Sequence, residues 1–175
     1  MKLLDILPIE KWIELEKEIN KRSGLNASVF DAEGIRITDF KKWANRLCPV
    51  VKANEKGQSY ICAVAHQNAA NEAQKTKGPA IIECDAGLVK FVVPIFVDDE
   101  FLGVAGGCGL LQKGSEVDSF LINKTTGIEI GKVENMSDDI ATISIAELES
   151  VIKYIEQKLE WKKHEFSTKR FVSVG

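Results

Sequence analysis

The sequence has no Cys-x-x-Cys pair, only two histidines, and no apolar run near the roughly 20 residues that span a bilayer. The first absence removes the usual spacing of structural zinc and ferredoxin-type sites. The third removes a membrane-spanning helix. The start, MKLLDILPIEKW, carries Asp5 and Glu10 and no long apolar segment, so it does not read as a secretory signal. The expected location is the cytoplasm, where cysteines stay reduced. A net charge of −3 leaves no excess of cations for direct nucleic-acid binding in bulk. No Walker pattern occurs, and Gly103, Gly106, Gly107 and Gly109 do not have the Rossmann spacing. Nothing repeats internally and no segment is of low complexity.

What is present is ordinary for one domain of 175 residues, with 45% apolar and 28% charged residues. The chain is organised around Ala80 to Leu111. Phe91 to Val97 is β-branched and aromatic, Asp98, Asp99 and Glu100 interrupt it, and Phe101 to Leu111 resumes the apolar run. Two apolar arms about a short acidic turn predict an antiparallel hairpin. Glycines in the second arm mark close approach of a backbone or a ligand. Ahead of this unit, Trp12, Leu15 and Ile19 predict an amphipathic helix that starts near Pro8 and stops near Gly24. Ser28 to Phe30 and Ile35 to Ile37 predict a second hairpin about Asp31–Gly34. An Ala-rich helix places Cys62, His66, Ala69 and Ala73 on one face and ends at Gly78-Pro79. Residues 112–143 read as a connection with a short helix and an irregular link.

The last element starts at Ser144, with Glu147 completing a capping box. Ile145, Leu148, Ile152, Ile155 and Leu159 repeat at alternating three- and four-residue steps, which predicts a helix to about Phe166 whose stripe pairs two chains as a homodimer. Packing against Trp12, Leu15 and Ile19 is the compatible alternative. The expected division is a domain over 1–143, a signalling or dimerisation helix over 144–166, and a tail over 167–175. Strands and helices are segregated rather than alternating, so the expected fold class is α+β, an antiparallel sheet with covering helices.

From Leu47 to Leu111 the pattern resembles the PocR-type ligand-binding domain, a PAS-like sensory domain of bacterial and archaeal signalling proteins, and the resemblance covers roughly Leu3 to Leu111, with the C-terminal part matched only by position. The features are Cys48 before an apolar pair, Cys62 after a Gly-containing turn, and the Ala-rich helix. Then come Gly78-Pro79, the Cys-x-Ala-Gly-Leu stretch from Cys84 to Leu88, Pro94-Ile95, Leu102-Gly103 and the double glycine Gly106-Gly107. The resemblance implies a PAS-like fold and a sensor of simple hydrocarbon derivatives such as small diols, coupled to an output domain or partner regulator in signal transduction or transcription regulation. Cys108 departs from the pattern. No helix-turn-helix, kinase or methyl-accepting region follows Gly175, so a free-standing sensor and a piece of a longer signalling chain are both open.

The expected ligand-binding residues are Trp43, Cys48, Cys62, His66, Cys84, Gly87, Leu88, Phe91 and Gly107, with Tyr60 a further candidate aromatic. Cys48, Cys62 and Cys84 lie 14 and 22 positions apart, so only the fold can bring them together. As a group they are candidate ligands of a metal or an iron–sulfur cluster, with His66 or Cys108 as a fourth, which makes a redox sensor the alternative function. Read singly, they are small buried hydrophobes. A Cys-dependent enzyme, with Cys84 activated by His66, is the remaining alternative. The leading expectation is a non-enzymatic sensor of a small molecule.

Overall fold

The structure is a computed structural model that describes residues 1–172, with side chains described over 1–160. It opens with a single turn, α1 (Leu3–Ile6), and an amphipathic helix, α2 (Ile9–Ser23). Pro8 caps α2, where its missing N–H is no loss. Trp12, Leu15 and Ile19 point inward as their spacing requires, and Trp12 Nε1 donates to Leu3 O at 3.2 Å. Gly24 ends the helix, donating its N–H to Asn20 O.

The sheet is built from β1 (Asn26–Asp31), β2 (Ala80–Glu83), β3 (Val89–Val97) and β4 (Glu100–Gln112), antiparallel in the order β1-β4-β3-β2. The expected hairpin is β3–β4. Its turn residues Asp98 and Asp99 have φ of 48° and 66°, the positive pair that a tight hairpin turn demands and that short polar side chains tolerate. Gly103 is required by contact: a Cβ there would lie 2.1 Å from Phe30 O on the neighbouring strand. The hairpin expected over Ser28–Ile37 forms only in part. Its turn is present, with Asp31 Oδ1 accepting from Glu33 N and Ile35 N, but pairing shrinks to a bridge between Phe30 and Arg36. The second arm leaves the sheet because Arg36 and Thr38 are drawn to the buried carboxylate of Glu16 on α2.

One face of the sheet is covered by a helical series. It consists of α3 (Leu47–Ala53), a short turn α4 (Glu55–Gly57), a π-helical turn (Gln58–Cys62), and α5 (Ala63–Thr76). Ala69 and Ala73 let α5 settle closely on Ala80, Val92 and Val104. The stretch expected to be largely irregular contains α6 (Ser119–Thr126) and α7 (Ile130–Ser137). Their Ile122 and Val133 pack with Leu47, Val51, Ile61 and Leu88. A two-residue strand, β5 (Thr142–Ile143), then joins the end of β4 in parallel. This is the expected α+β, PAS-like arrangement.

The terminal helix, α8 (Ile145–Val172), extends past the expected end at Phe166, and the tail expected over 167–175 partly lies outside the described residues. Its capping box is formed, with Glu147 N donating to Ser144 Oγ and Ser144 N to Glu147 Oε2. The stripe is not a free seam between chains. Leu148, Ile152, Ile155 and Leu159 are buried against Trp12, Leu15 and Ile19 of α2 and against Val93 and Ile95 of β3. A helix lying between a sheet and a second helix needs the same regular stripe, so the spacing does not by itself separate the two uses. Only Ile145, 41% exposed, stays outside.

Ile155 is fully buried in this layer. Ile155→Lys is expected to cost more than about 4 kcal/mol, because it buries an unpaired ammonium in place of packed apolar surface. Denaturant unfolding followed by circular dichroism checks this. A folded variant of parental stability would show that the stripe does not close this core.

Candidate ligand pocket

A β-strand sends alternate side chains to opposite faces. In the sheet, Ala27, Val29, Phe91, Val93 and Ile95 go to the α2–α8 side, so their neighbours go to the other. Asn26 pairs with Cys108, and Cys108 with Lys90, which puts these three side chains in one row across β1, β4 and β3. Ser28 and Phe30 continue the same face of β1. Above the row, the α3–α5 series does not descend fully onto the sheet. A cavity of about 210 Å³ remains between them, roofed by Cys48 and Lys52 of α3, Gln58 and Cys62 of the π turn, and Ala63 and His66 of α5. Cys84 and Leu88 close one end, and Arg36, Glu33 and Trp43 border the other. The volume lies below the range usual for drug-sized ligands, so the space suits a small molecule. π turns often occur where a helix must re-aim a side chain at a functional site, and this one delivers Cys62 into the cavity.

Of the residues expected to bind a ligand, Trp43, Cys48, Cys62, His66, Cys84 and Leu88 line this cavity. Phe91 and Gly107 do not. They are a register pair, and both face the opposite core, where a Cβ on Gly107 would lie 3.0 Å from Leu25 Cβ. Gly87 turns the chain behind the cavity, against Glu116 O. Tyr60 points to solvent. The sequence reading passed over Lys90, Asn26, Phe30, Arg36, Lys52 and Gln58. The available signal was parity: once Cys108 faces the cavity, Gly107 cannot, and Lys90 is the one charged residue within the strand VKFVVPIFV.

The fold brings all four cysteines to one space. Cys48 is held by Asn45, whose Oδ1 accepts from Cys48 N at 2.7 Å and whose Nδ2 lies 3.2 Å from Cys48 Sγ. The same Nδ2 donates to Gly109 O at 2.6 Å. Gly109 has φ of 107°, and a Cβ there would press on Ala44 at 3.0 Å, so position 109 must be glycine for Asn45 to reach it. Burial, then the neighbouring Cys108, pushes the Cys48 thiol far up. Burial pushes Cys62 up to about 11 and also raises Cys84. Among the described residues, no three Cys, His or carboxylate groups are arranged to hold a metal ion.

His66 stacks on Phe30, ring centroids 3.9 Å apart. Neither Nδ1 nor Nε2 has a hydrogen-bond partner, so the Cys84–His66 pair of the enzymatic alternative is not formed. Burial, reinforced by Lys90 and Lys52, holds the imidazole down at about 4. Behind the cavity, Glu16 is fully buried and accepts from Val29 N at 3.0 Å, Thr38 Oγ1 at 2.5 Å and Arg36 Nη2 at 3.4 Å. Burial raises its carboxyl above the ordinary range, and the bonds from Thr38 and Arg36 oppose that rise. Arg36 also donates to Ala27 O and Phe40 O, which fixes its guanidinium at the pocket wall.

The His66 environment sets a pH dependence. Its folded value lies below the ordinary 6.5, so between pH 6.5 and about 4 the unfolded chain binds the extra proton. Stability is therefore expected to fall as pH drops through this window. His66→Gln is expected to flatten the fall when unfolding free energy is measured across it. An equal slope in the variant would mean that His66 is not held neutral by burial.

Two comparisons with known proteins find nothing: no curated protein and no solved structure matches the chain. No described helix is long and apolar enough to cross a membrane. The family model for the sensory domain found in PocR matches residues 5–160, which includes the sheet, every wall of the cavity and all of α8 whose side chains are described. The chain belongs to the PocR sensory-domain family.

Proposed function

We propose that this domain is a non-enzymatic sensor in a cytoplasmic signalling or transcription-regulatory system, that its small-molecule ligand occupies the cysteine-lined cavity, and that occupancy is relayed to α8. The observation that carries this reading is a set of polar atoms left without partners in a mostly apolar space: both ring nitrogens of His66, Asn26 Oδ1 and Gln58 Oε1. Each such buried group costs about 1–3 kcal/mol, a cost that a ligand with complementary groups removes. A small molecule with an apolar body and hydroxyl groups, the diol-like ligand implied by the family, meets that description.

The relay follows contacts of the fold. Arg36 borders the cavity and holds Glu16 on α2. Helix α2 packs on α8, where the Arg22 guanidinium lies 3.8 Å from the centre of the Tyr154 ring. A ligand that prefers one position of Arg36 biases α2, and α8 with it. Because the α8 stripe is consumed within the chain, the signal leaves as a displacement of α8 toward an output domain or partner regulator, and not as a slip between two paired seams. The competing reading, a metal or iron–sulfur centre on Cys48, Cys62 and Cys84, requires these raised thiols to deprotonate together. Anaerobic purification followed by metal analysis and an absorption spectrum tests it.

Ala63→Phe tests the sensor reading by filling the cavity roof. Against a screen of small diols and related hydrocarbon derivatives, the parent is expected to gain thermal stability and to change hydrogen exchange along α8. The filled variant is expected to show neither response while remaining folded. A ligand that binds both equally lies outside the cavity, and this assignment of the site then fails.

A further inference from the structure

We infer that the cavity selects an anion: a small monocarboxylate whose carboxylate is received by the Lys90 ammonium and by the ring N–H of His66. This inference rests on the sensor reading of the same site and names its ligand class. The first observation is Lys90 itself. It is 7% exposed, it projects from the start of β3 into the cavity, and among the described residues no carboxylate pairs with it. The centre of the Phe30 ring lies 5.9 Å from its Nζ. A buried ammonium is costly unless an anion compensates it. Proteins tolerate such a group mainly at sites where something else completes it.

The second observation is the sign of the walls. Arg36, Lys52 and Lys90 border the cavity, against one carboxylate, Glu33, which sits at the exposed rim. Arg36 Nη2 already donates to Glu16, Ala27 O and Phe40 O, so its charge is paired at the wall with the Glu16 carboxylate. Among the described residues, Lys52 and Lys90 have no such carboxylate partner. Burial, with these two ammonium groups adding to it, depresses His66, and a neutral imidazole can donate one N–H and accept at the other nitrogen. His66 and Lys90 both lie against Phe30, so a carboxylate placed beside that ring meets both. A hydroxyl on the same molecule donates to one of the remaining acceptors, Asn26 Oδ1 or Gln58 Oε1.

Geometry argues against a larger phosphate ligand. The space is about 210 Å³. The π turn runs directly into α5, with Ala63 N bonded to Gln58 O, so this helix opens no free N–H groups toward the cavity as a phosphate site requires. A compact carboxylate needs only the two side-chain donors present.

The test compares acids with alcohols of the same skeleton on the intact chain: lactate against 1,2-propanediol, and propanoate against 1-propanol, by calorimetry and thermal shift. At least one acid is expected to bind about tenfold more tightly than its alcohol at neutral pH, the equivalent of about 1.4 kcal/mol. Lys90→Met is expected to erase that preference, and Lys90→Arg to restore part of it. The Lys90→Met chain without ligand is expected to melt no lower than the parent, since it sheds a buried charge. The acid–alcohol comparison on the parent stands even if the methionine variant does not fold. Alcohols that bind as tightly as the acids, or an acid preference that survives Lys90→Met, overturn the anion and leave the sensor standing. If neither class binds, both readings fall.

Discussion

The pleat of the central sheet governs everything else in this molecule. Each residue of β1, β3 and β4 has two directions available and no third, so one register divides the strands into two unlike surfaces. Phe91, Val93 and Ile95 meet α2 and α8 in a dry core. Lys90, Val92 and Pro94 occupy the other face, where α5 covers one end and the cavity the other. A slip of one residue in β3 would drive Lys90 into the α8 core and Phe91 into the pocket. The many apolar positions of the first face make that slip prohibitive, and in doing so they hold Lys90 where it is.

The fold thus tolerates polar groups that do not stabilise it. Among the described residues, Lys90 has no carboxylate partner, His66 has no hydrogen-bond partner, and Glu16 retains one carboxylate oxygen without a donor. Each is individually unfavourable. They are not scattered. Lys90 and His66 face the cavity, and Glu16 stands behind its wall, joined to it through Arg36. The well-packed α2–α8 side supplies the stability that allows the opposite face to remain incompletely satisfied, which is the condition for a site that a ligand completes.

The cysteines show how a motif is bounded by its setting. Cys48, Cys62, Cys84 and Cys108 converge from α3, the π turn, the β2–β3 loop and β4. Convergence alone suggests a metal centre. Burial raises the thiols of Cys48, Cys62 and Cys84, and the nearby cations Lys52 and Lys90 lower Cys62 without offsetting that rise. Buried thiols are also compact, polarizable groups that pack well against apolar surface.

Local chemistry made much of this legible in advance. The α2 stripe, the acidic β3–β4 turn, the Ser144–Glu147 cap and the Cys84–Leu88 stretch each depend on neighbours within a few residues, so the linear order carries them. Trp43, Cys48, Cys62, His66, Cys84 and Leu88 are named through the family resemblance, and the fold is what gathers them on one cavity. Other features depend on partners far away in the chain. Whether Phe91 or Lys90 faces the pocket is a matter of parity against β1 and β4. Whether the second arm after Gly34 stays in the sheet depends on Glu16, some 20 residues earlier. Whether the α8 stripe meets a second chain or its own sheet is invisible to a spacing that both uses share. The sequence by itself determined which faces exist and how the elements start and stop, because those follow from backbone and nearest-neighbour physics. Only the tertiary structure decided which face meets which, because burial is a property of two surfaces brought together and neither surface encodes it alone.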